Sequence, residues 1–175
     1  PSFDQPTQVL QKDAPTTATL VTDRGDITID LETTRAPKNS NSIAFLAGEG
    51  YFDNTVCHRL TTTDSLSVLQ CGDPLGTGVG GPGYTVKDEN LPKAGDDNYP
   101  AGTVAMAEPG GGEAGSQFFL VYRDSTLPPD YTIVGQIGEG LDIVREIAQG
   151  GEADGGDDGE PAEPVTIETV TIEQN

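Results

Sequence analysis

The chain has no tryptophan, a single histidine, two cysteines and nine basic residues against 29 acidic ones. Each shortage excludes something. With a formal net charge of -20, the chain offers no basic patch for phosphates, so nucleic acid is not expected as a partner. Anionic membrane surfaces are excluded on the same ground. No run of 18 apolar residues occurs, so no segment reads as a membrane-spanning helix, and no membrane contact is expected of this domain. One histidine leaves His58 as the sole candidate base for a Ser-His-Asp hydrolase. The G-x-S-x-G elbow is missing, and Ser116 sits in Gly-Ser-Gln-Phe instead. One histidine and no Cys-x-x-Cys give no ligand set for zinc, so neither a metal nor a cofactor is expected. The acidity itself is read first as solubility, with salt adaptation or a basic partner as the alternatives.

What is present reads as one folded domain, since 175 residues suffice for a single core. Residues 1–17 are rich in Pro, Thr, Gln and Asp, lack periodicity, and read as an N-terminal linker or tether. The domain then runs over 18–175. A start at Pro1 rather than Met reads as processing, and a tether suits a domain held outside a membrane. An extracytoplasmic location is therefore expected, with a cytoplasmic one as the alternative. Ala18–Thr22 and Gly25–Leu31 predict a hairpin, because Ile27, Ile29 and Leu31 alternate with polar residues. Pro37 opens a helix whose buried face carries Ile43, Leu46 and Ala47. A second helix is predicted over Leu141–Gln149. Six further apolar runs read as strands: 55–60, 66–71, 103–107, 117–121, 132–137 and 165–173. The expected fold is mainly β, with about eight strands and two helices. An antiparallel barrel fits this count, although counting alone leaves an α+β sandwich open.

In the last strand, Val165 and Ile167 fall on odd positions but Val170 and Ile172 on even ones. Strict alternation would split them between faces, so a bulge near Glu168-Thr169 is predicted. Residues 76–81 contain G-x-G-x-x-G, yet Pro82-Gly83 follows where a dinucleotide site needs a helix, so a glycine turn is the better reading. The acidic stretch 150–164 lacks the spacing of a calcium loop and reads as a solvated connection.

The chemistry gathers on two stretches. Cys57-His58-Arg59-Leu60 is followed by Val68-Leu69-Gln70-Cys71-Gly72-Asp73, and later by Gly115-Ser116-Gln117-Phe118-Phe119. On strands, alternation would put Arg59, Gln70, Gln117 and Phe119 on one face. These runs resemble the signature strands of the cyclophilins, the cyclosporin-binding family of peptidyl-prolyl isomerases, over roughly residues 18–173. The resemblance implies a closed eight-stranded antiparallel barrel capped by two helices. It also implies cis-trans isomerisation of X–Pro bonds to assist protein folding, with proline-containing peptides and folding proteins as partners and a monomeric state. Arg59 resembles the catalytic arginine, and Gln70 the glutamine that supports it. His58, Ser67, Val68, Ala107, Glu108, Gln117, Phe119, Leu127 and Tyr131 resemble substrate-binding positions, with Phe119, Val68 and Leu127 forming the proline cup. Ala107 and Glu108 would offer backbone contacts. The alternative is a proline-peptide-binding or chaperone-like module on a degenerate cyclophilin fold. Ser67 stands where a pocket phenylalanine is usual, and Thr126 or Leu127 takes the place of the tryptophan that contacts cyclosporin. Weakened cyclosporin affinity is expected.

Cys57 and Cys71 lie on strands expected to pair antiparallel. Two readings remain: reduced core thiols, or a cross-strand disulfide favoured in an exported domain.

Overall fold

Strand β1 (Thr16–Thr22) and strand β2 (Gly25–Leu31) form the expected hairpin, paired from Thr17↔Asp30 to Thr22↔Gly25. The computed structural model describes all residues, Pro1–Asn175. After the hairpin come α1 (Pro37–Gly48), β3 (Thr55–Val56), β4 (Arg59–Thr61), β5 (Val68–Cys71), β6 (Val86–Lys87) and β7 (Thr103–Met106). They are followed by β8 (Glu113–Ala114), β9 (Phe118–Val121), β10 (Ile133–Ile137), α2 (Leu141–Gln149), β11 (Asp158–Gly159) and β12 (Thr166–Gln174).

Ten strands form one antiparallel sheet in the order β11-β4-β5-β9-β7-β10-β2-β1-β12-β3, and β6 pairs with β8 in a small separate ribbon. The mainly β architecture with two helices holds, but the closed eight-stranded barrel is corrected. The expected strand over 55–60 is broken at Cys57-His58, and its halves lie towards opposite ends of the strand order. Thr55–Val56 pairs with β12, whereas Arg59–Thr61 pairs with β5. The covalent chain therefore carries the curl of the sheet from one side to the other, and the end strands β3 and β11 do not pair with each other.

The predicted bulge is present. Opposite β1, Val21 pairs with Thr169 but Thr22 pairs with Ile167, so Glu168 is skipped. The skip returns Val165, Ile167 and Val170 to the buried face. One cluster of 27 buried residues fills the inside of the curl, with Leu46 from α1 and Val144 and Ile147 from α2.

Helix α1 has buried polar residues, Asn39 to Ser42, as well as an apolar face. Part of the stretch 1–17, read from composition as a linker, lies against it. Asn41 Oδ1 accepts the N–H groups of Val9 and Leu10 at 2.8 and 3.0 Å, and Asn41 Nδ2 donates to Thr7 O. Phe3 meets Phe45 edge-on at 5.2 Å. Ala36 cannot cap the helix through its side chain. The Glu89 carboxylate does so instead, accepting from the N–H groups of Lys38 and Asn39.

Cys57 and Cys71 form a disulfide, with Cα atoms 4.1 Å apart. The reading of two reduced thiols gives way, because the pairing Arg59↔Gln70 brings the two residues nearly opposite. The bond spans 14 residues and ties the sheet where the chain breaks between β3 and β4. In the chain-entropy model such a loop contributes about 3 kcal/mol. For a domain of this size that corresponds to roughly 6–12 °C in Tm. The C57A/C71A variant is expected to melt lower by that order in scanning calorimetry. An unchanged melting temperature would show that the bond adds nothing to stability.

Candidate active site

One row of paired residues crosses the sheet: Arg59↔Gln70, Gln70↔Phe119, Phe119↔Ala105 and Ala105↔Ile133. The neighbouring row, Leu60, Leu69, Leu120 and Val104, is fully buried in the core. Because side chains alternate across a sheet, the first row faces outward. On that face a second, smaller apolar cluster has formed from Val68, Tyr99, Ala105, Phe119 and Val121. Leu66, Ala107, Leu127, Tyr131 and Ile133 pack around it. Phe119 and Tyr131 meet edge-on at 5.7 Å, and Tyr99 lies 6.3 and 6.2 Å from their rings. The result is an apolar cup whose floor is Phe119.

Beside the cup runs a directed chain of hydrogen bonds. Arg59 Nη1 donates to Gln70 Oε1 at 3.1 Å. Gln70 Nε2 donates to Gln117 Oε1 at 2.8 Å, and Gln117 Nε2 donates to Gly80 O at 3.0 Å. Each amide uses its oxygen on one side and its nitrogen on the other, so the orientation of both is fixed. The Arg59 guanidinium is held further by Asp158, with Nε to Oδ1 and Nη2 to Oδ2 both at 2.9 Å. These bonds raise the Arg59 pKa and lower that of Asp158. The Arg59 side chain remains 38% exposed, so it is ion-paired but open to a ligand.

The glycine turn over 76–81 is organised by Asp73. Its carboxylate accepts the N–H groups of Leu75, Thr77, Gly78 and Gly80 at 2.7–3.1 Å. Burial would raise the Asp73 pKa, but these four bonds outweigh it and lower it. Gly80 is required by close approach, since a Cβ there would lie 1.8 Å from Asp73 Oδ1. This turn presents the Gly80 carbonyl to Gln117. It also forms one wall of a cavity of about 710 Å³, lined by Gln70, Gln117, Ala107, Glu108 and residues 78–85 among others. The cavity takes Gln70 from the row above, Gln117 from the hydrogen-bonded chain and Ala107 from the surround of the cup, but not Arg59 or Phe119, so the groove runs from the cup into it.

Not every residue singled out from sequence comes to this groove. Ser67 is fully buried and turned away, donating to Thr63 O and accepting from Arg123 Nε. Leu66 packs on the cup instead. His58 lies against the glycine turn, where a Cβ on Gly78 would be 3.6 Å from its Nε2. Burial lowers its pKa, and its Nδ1 is buried without a partner. Ala107 donates its N–H to Gln117 O at 2.9 Å, so only its carbonyl is free for a ligand. Two residues were missed. Tyr99 is fully buried, with its hydroxyl donating to Tyr131 O and accepting from Tyr131 N–H. Burial pushes its pKa up to about 12. The Asn98-Tyr99-Pro100 context was its only sequence signal, an extended residue ahead of a proline. Asp158 was hidden in the acidic stretch.

Glu108, on the cavity wall, is drawn up to about 8 by burial and by its contact with Asp88. Glu108 Oε2 and Asp88 Oδ1 are both buried without a hydrogen-bond partner. Burial disfavours the charged form of Glu108, and the nearby acids Asp88, Asp130 and Glu113 add to that. Because the folded pKa lies above the ordinary 4.5, this contribution to stability is complete below that value. It is lost as pH rises through about 8. Glu108→Gln keeps a donor for Asp88 and cannot ionise. Between about pH 5 and pH 9, its melting temperature is expected to fall less than that of the parent chain, as read from thermal melts. Equal falls would refute the raised Glu108 pKa as the cause of this loss.

Comparison with known proteins agrees with this architecture. The family profile described as "Cyclophilin type peptidyl-prolyl cis-trans isomerase/CLD" matches residues 17–172. The chain is 49% identical over 170 residues to "Probable peptidyl-prolyl cis-trans isomerase B" of Mycobacterium leprae, covering 91% of this chain and 58% of that protein. The same-named protein of Mycobacterium tuberculosis is 46% identical, covering 91% of this chain and 55% of that protein. The chain thus spans somewhat over half the length of these mycobacterial relatives. Among solved structures, a cyclophilin-type isomerase of Cryptosporidium parvum superposes with a TM-score of 0.75 at 26% identity, over 92% of this chain and 99% of that one. A second structure of that protein, in the presence of the dipeptide Ala-Pro, gives 0.74 over 91% and 99%. With the profile covering nearly the whole chain and the outer-face row in place, the chain belongs to the cyclophilin family.

Proposed function

We propose that the chain catalyses cis-trans isomerisation of X–Pro peptide bonds in peptides and folding proteins, without a covalent intermediate. The observation that carries this reading is Arg59, held with two N–H groups unused, on the same outward face as the Phe119 cup. An X–Pro bond resists rotation by about 18–20 kcal/mol because of its resonance. Twisting it returns a lone pair to the prolyl nitrogen. A guanidinium beside that nitrogen donates a hydrogen bond to the twisted state and not to the planar one, which is differential binding of the transition state. No nucleophile or base is needed. The cup takes the pyrrolidine ring, while Gln117 and the Ala107 carbonyl offer polar contacts to the peptide backbone. The Cryptosporidium relative crystallised in the presence of Ala-Pro supports a proline peptide as ligand.

We place this domain in an oxidising compartment, and the Cys57–Cys71 bond supports that reading.

Removing one donor aimed at a transition state costs about 10²–10³ in rate. Arg59→Ala is expected to lower kcat/KM by that order in a protease-coupled assay with a proline peptide. Full activity without Arg59 would refute the mechanism. Peptide binding with no turnover even in the parent chain would instead favour the peptide-binding alternative.

The same groove bears on cyclosporin. Thr126 is exposed, its N–H is bound to Ser65 O, and its hydroxyl accepts Asp97 N–H. It presents neither an aromatic face nor an indole donor. Cyclosporin inhibition is expected to be at least about tenfold weaker than for a tryptophan-containing cyclophilin, equivalent to about 1.4 kcal/mol. Parallel inhibition curves decide this, and equal potency would overturn it.

A further inference from the structure

The acidic stretch between α2 and β12 is a built hairpin. Glu152, only 8% exposed, accepts the N–H groups of Asp154 and Gly156 at 3.0 and 2.7 Å. Ala153 N–H donates to Glu160 O, and Ala162 N–H to Gly151 O, both at 2.8 Å. Strand β11 then pairs antiparallel with β4, placing Asp158 opposite Thr61 and Gly159 opposite Leu60. Thr62 N–H donates to Asp157 O at 3.0 Å and extends this ladder. The hairpin thereby brings one carboxylate, that of Asp158, against the guanidinium of Arg59 in a two-point contact.

This pair has little to offer as a stabilising contact. Its side chains are 38% and 49% exposed, and exposed pairs contribute little to folding. Its effect is on direction. A guanidinium carries five N–H donors in a rigid plane. Asp158 takes two of them and Gln70 a third. One N–H on Nη1 and one on Nη2 remain, and the plane that holds them is fixed from two sides. A long, half-exposed arginine without such contacts would spread over several rotamers.

We infer that Asp158 is a positioning residue for the isomerase reaction, presented by the acidic hairpin to hold the Arg59 guanidinium in the orientation that meets the twisting X–Pro bond. The inference rests on the proposed isomerase activity and adds to it a residue that never touches the substrate. A misplaced catalytic group loses rate steeply, while the cup still binds proline.

The test compares the parent chain with D158A, D158N and D157A. The first two remove the two-point contact. The third removes the same charge one residue away and leaves the contact intact. D158A is expected to lower kcat about tenfold or more with KM within about twofold, because orientation matters in the transition state and not in ground-state binding. D158N is expected to fall between D158A and the parent, and D157A to match the parent. The Nε–H resonance of Arg59 in proton–nitrogen NMR is expected to be sharp in the parent and to broaden through water exchange in D158A. Equal kcat in D158A and the parent, a faster D158A, or an equal loss in D157A would each overturn the inference. A parent chain with no isomerase activity would refute the proposed function instead. In that case the Arg59 resonance still decides the positioning contact, and an unchanged line in D158A would sink it.

Discussion

The site depends on one register. Arg59, Gln70, Phe119, Ala105 and Ile133 stand side by side across five neighbouring strands. Their neighbours along each strand, Leu60, Leu69, Leu120 and Val104, are sealed in the core. Slipping any of these strands by one residue would exchange the two rows. It would bury a guanidinium and expose leucines, and each is costly. The apolar core therefore fixes this outward face without touching a ligand.

Around that register the loops supply rigidity rather than chemistry. Asp73 gathers four backbone N–H groups and so sets the glycine turn that receives Gln117. Asn98 holds Leu127 at both its N–H and its carbonyl, which keeps the cup's outer wall in place. Tyr99 stands behind Phe119 and bonds the Tyr131 backbone in both directions. A site whose side chains are bonded at both ends loses little entropy when a peptide arrives, and this is the physical content of preorganisation.

The chain's strong negative charge enters the site at only a few points. At Asp158 it is paired with Arg59, and at Glu108 burial and the neighbouring acids hold the carboxyl's pKa up. Elsewhere Asp73, Glu89 and Glu152 are spent on backbone N–H groups. Arg59 thus works in a field of acids that would attract cations into the groove, yet its own charge is matched by a single fixed partner.

The sequence determined the local elements. Pro37 placed the start of α1, alternation in residues 25–31 placed β2, and the parity change between Ile167 and Val170 located the bulge at Glu168. These are short-range effects of backbone geometry and burial, and they are legible one residue at a time. Arg59, Gln70, Gln117 and Phe119 were visible because the strands that carry them alternate and because the motif resembles a known family. The tertiary structure alone decided which distant residues met them. Asp158 sits 99 positions from Arg59, in a stretch whose composition reads as solvated loop, and only the pairing of β11 with β4 brings it there. Leu66 rather than Ser67 packs on the cup, because the turn over 61–66 sets which side chain faces outward. The strand expected over 55–60 broke at Cys57-His58 because the curl of the sheet sends its halves to different partners. Long-range pairing of this kind is set by the whole core at once, and no local pattern in the sequence encodes it.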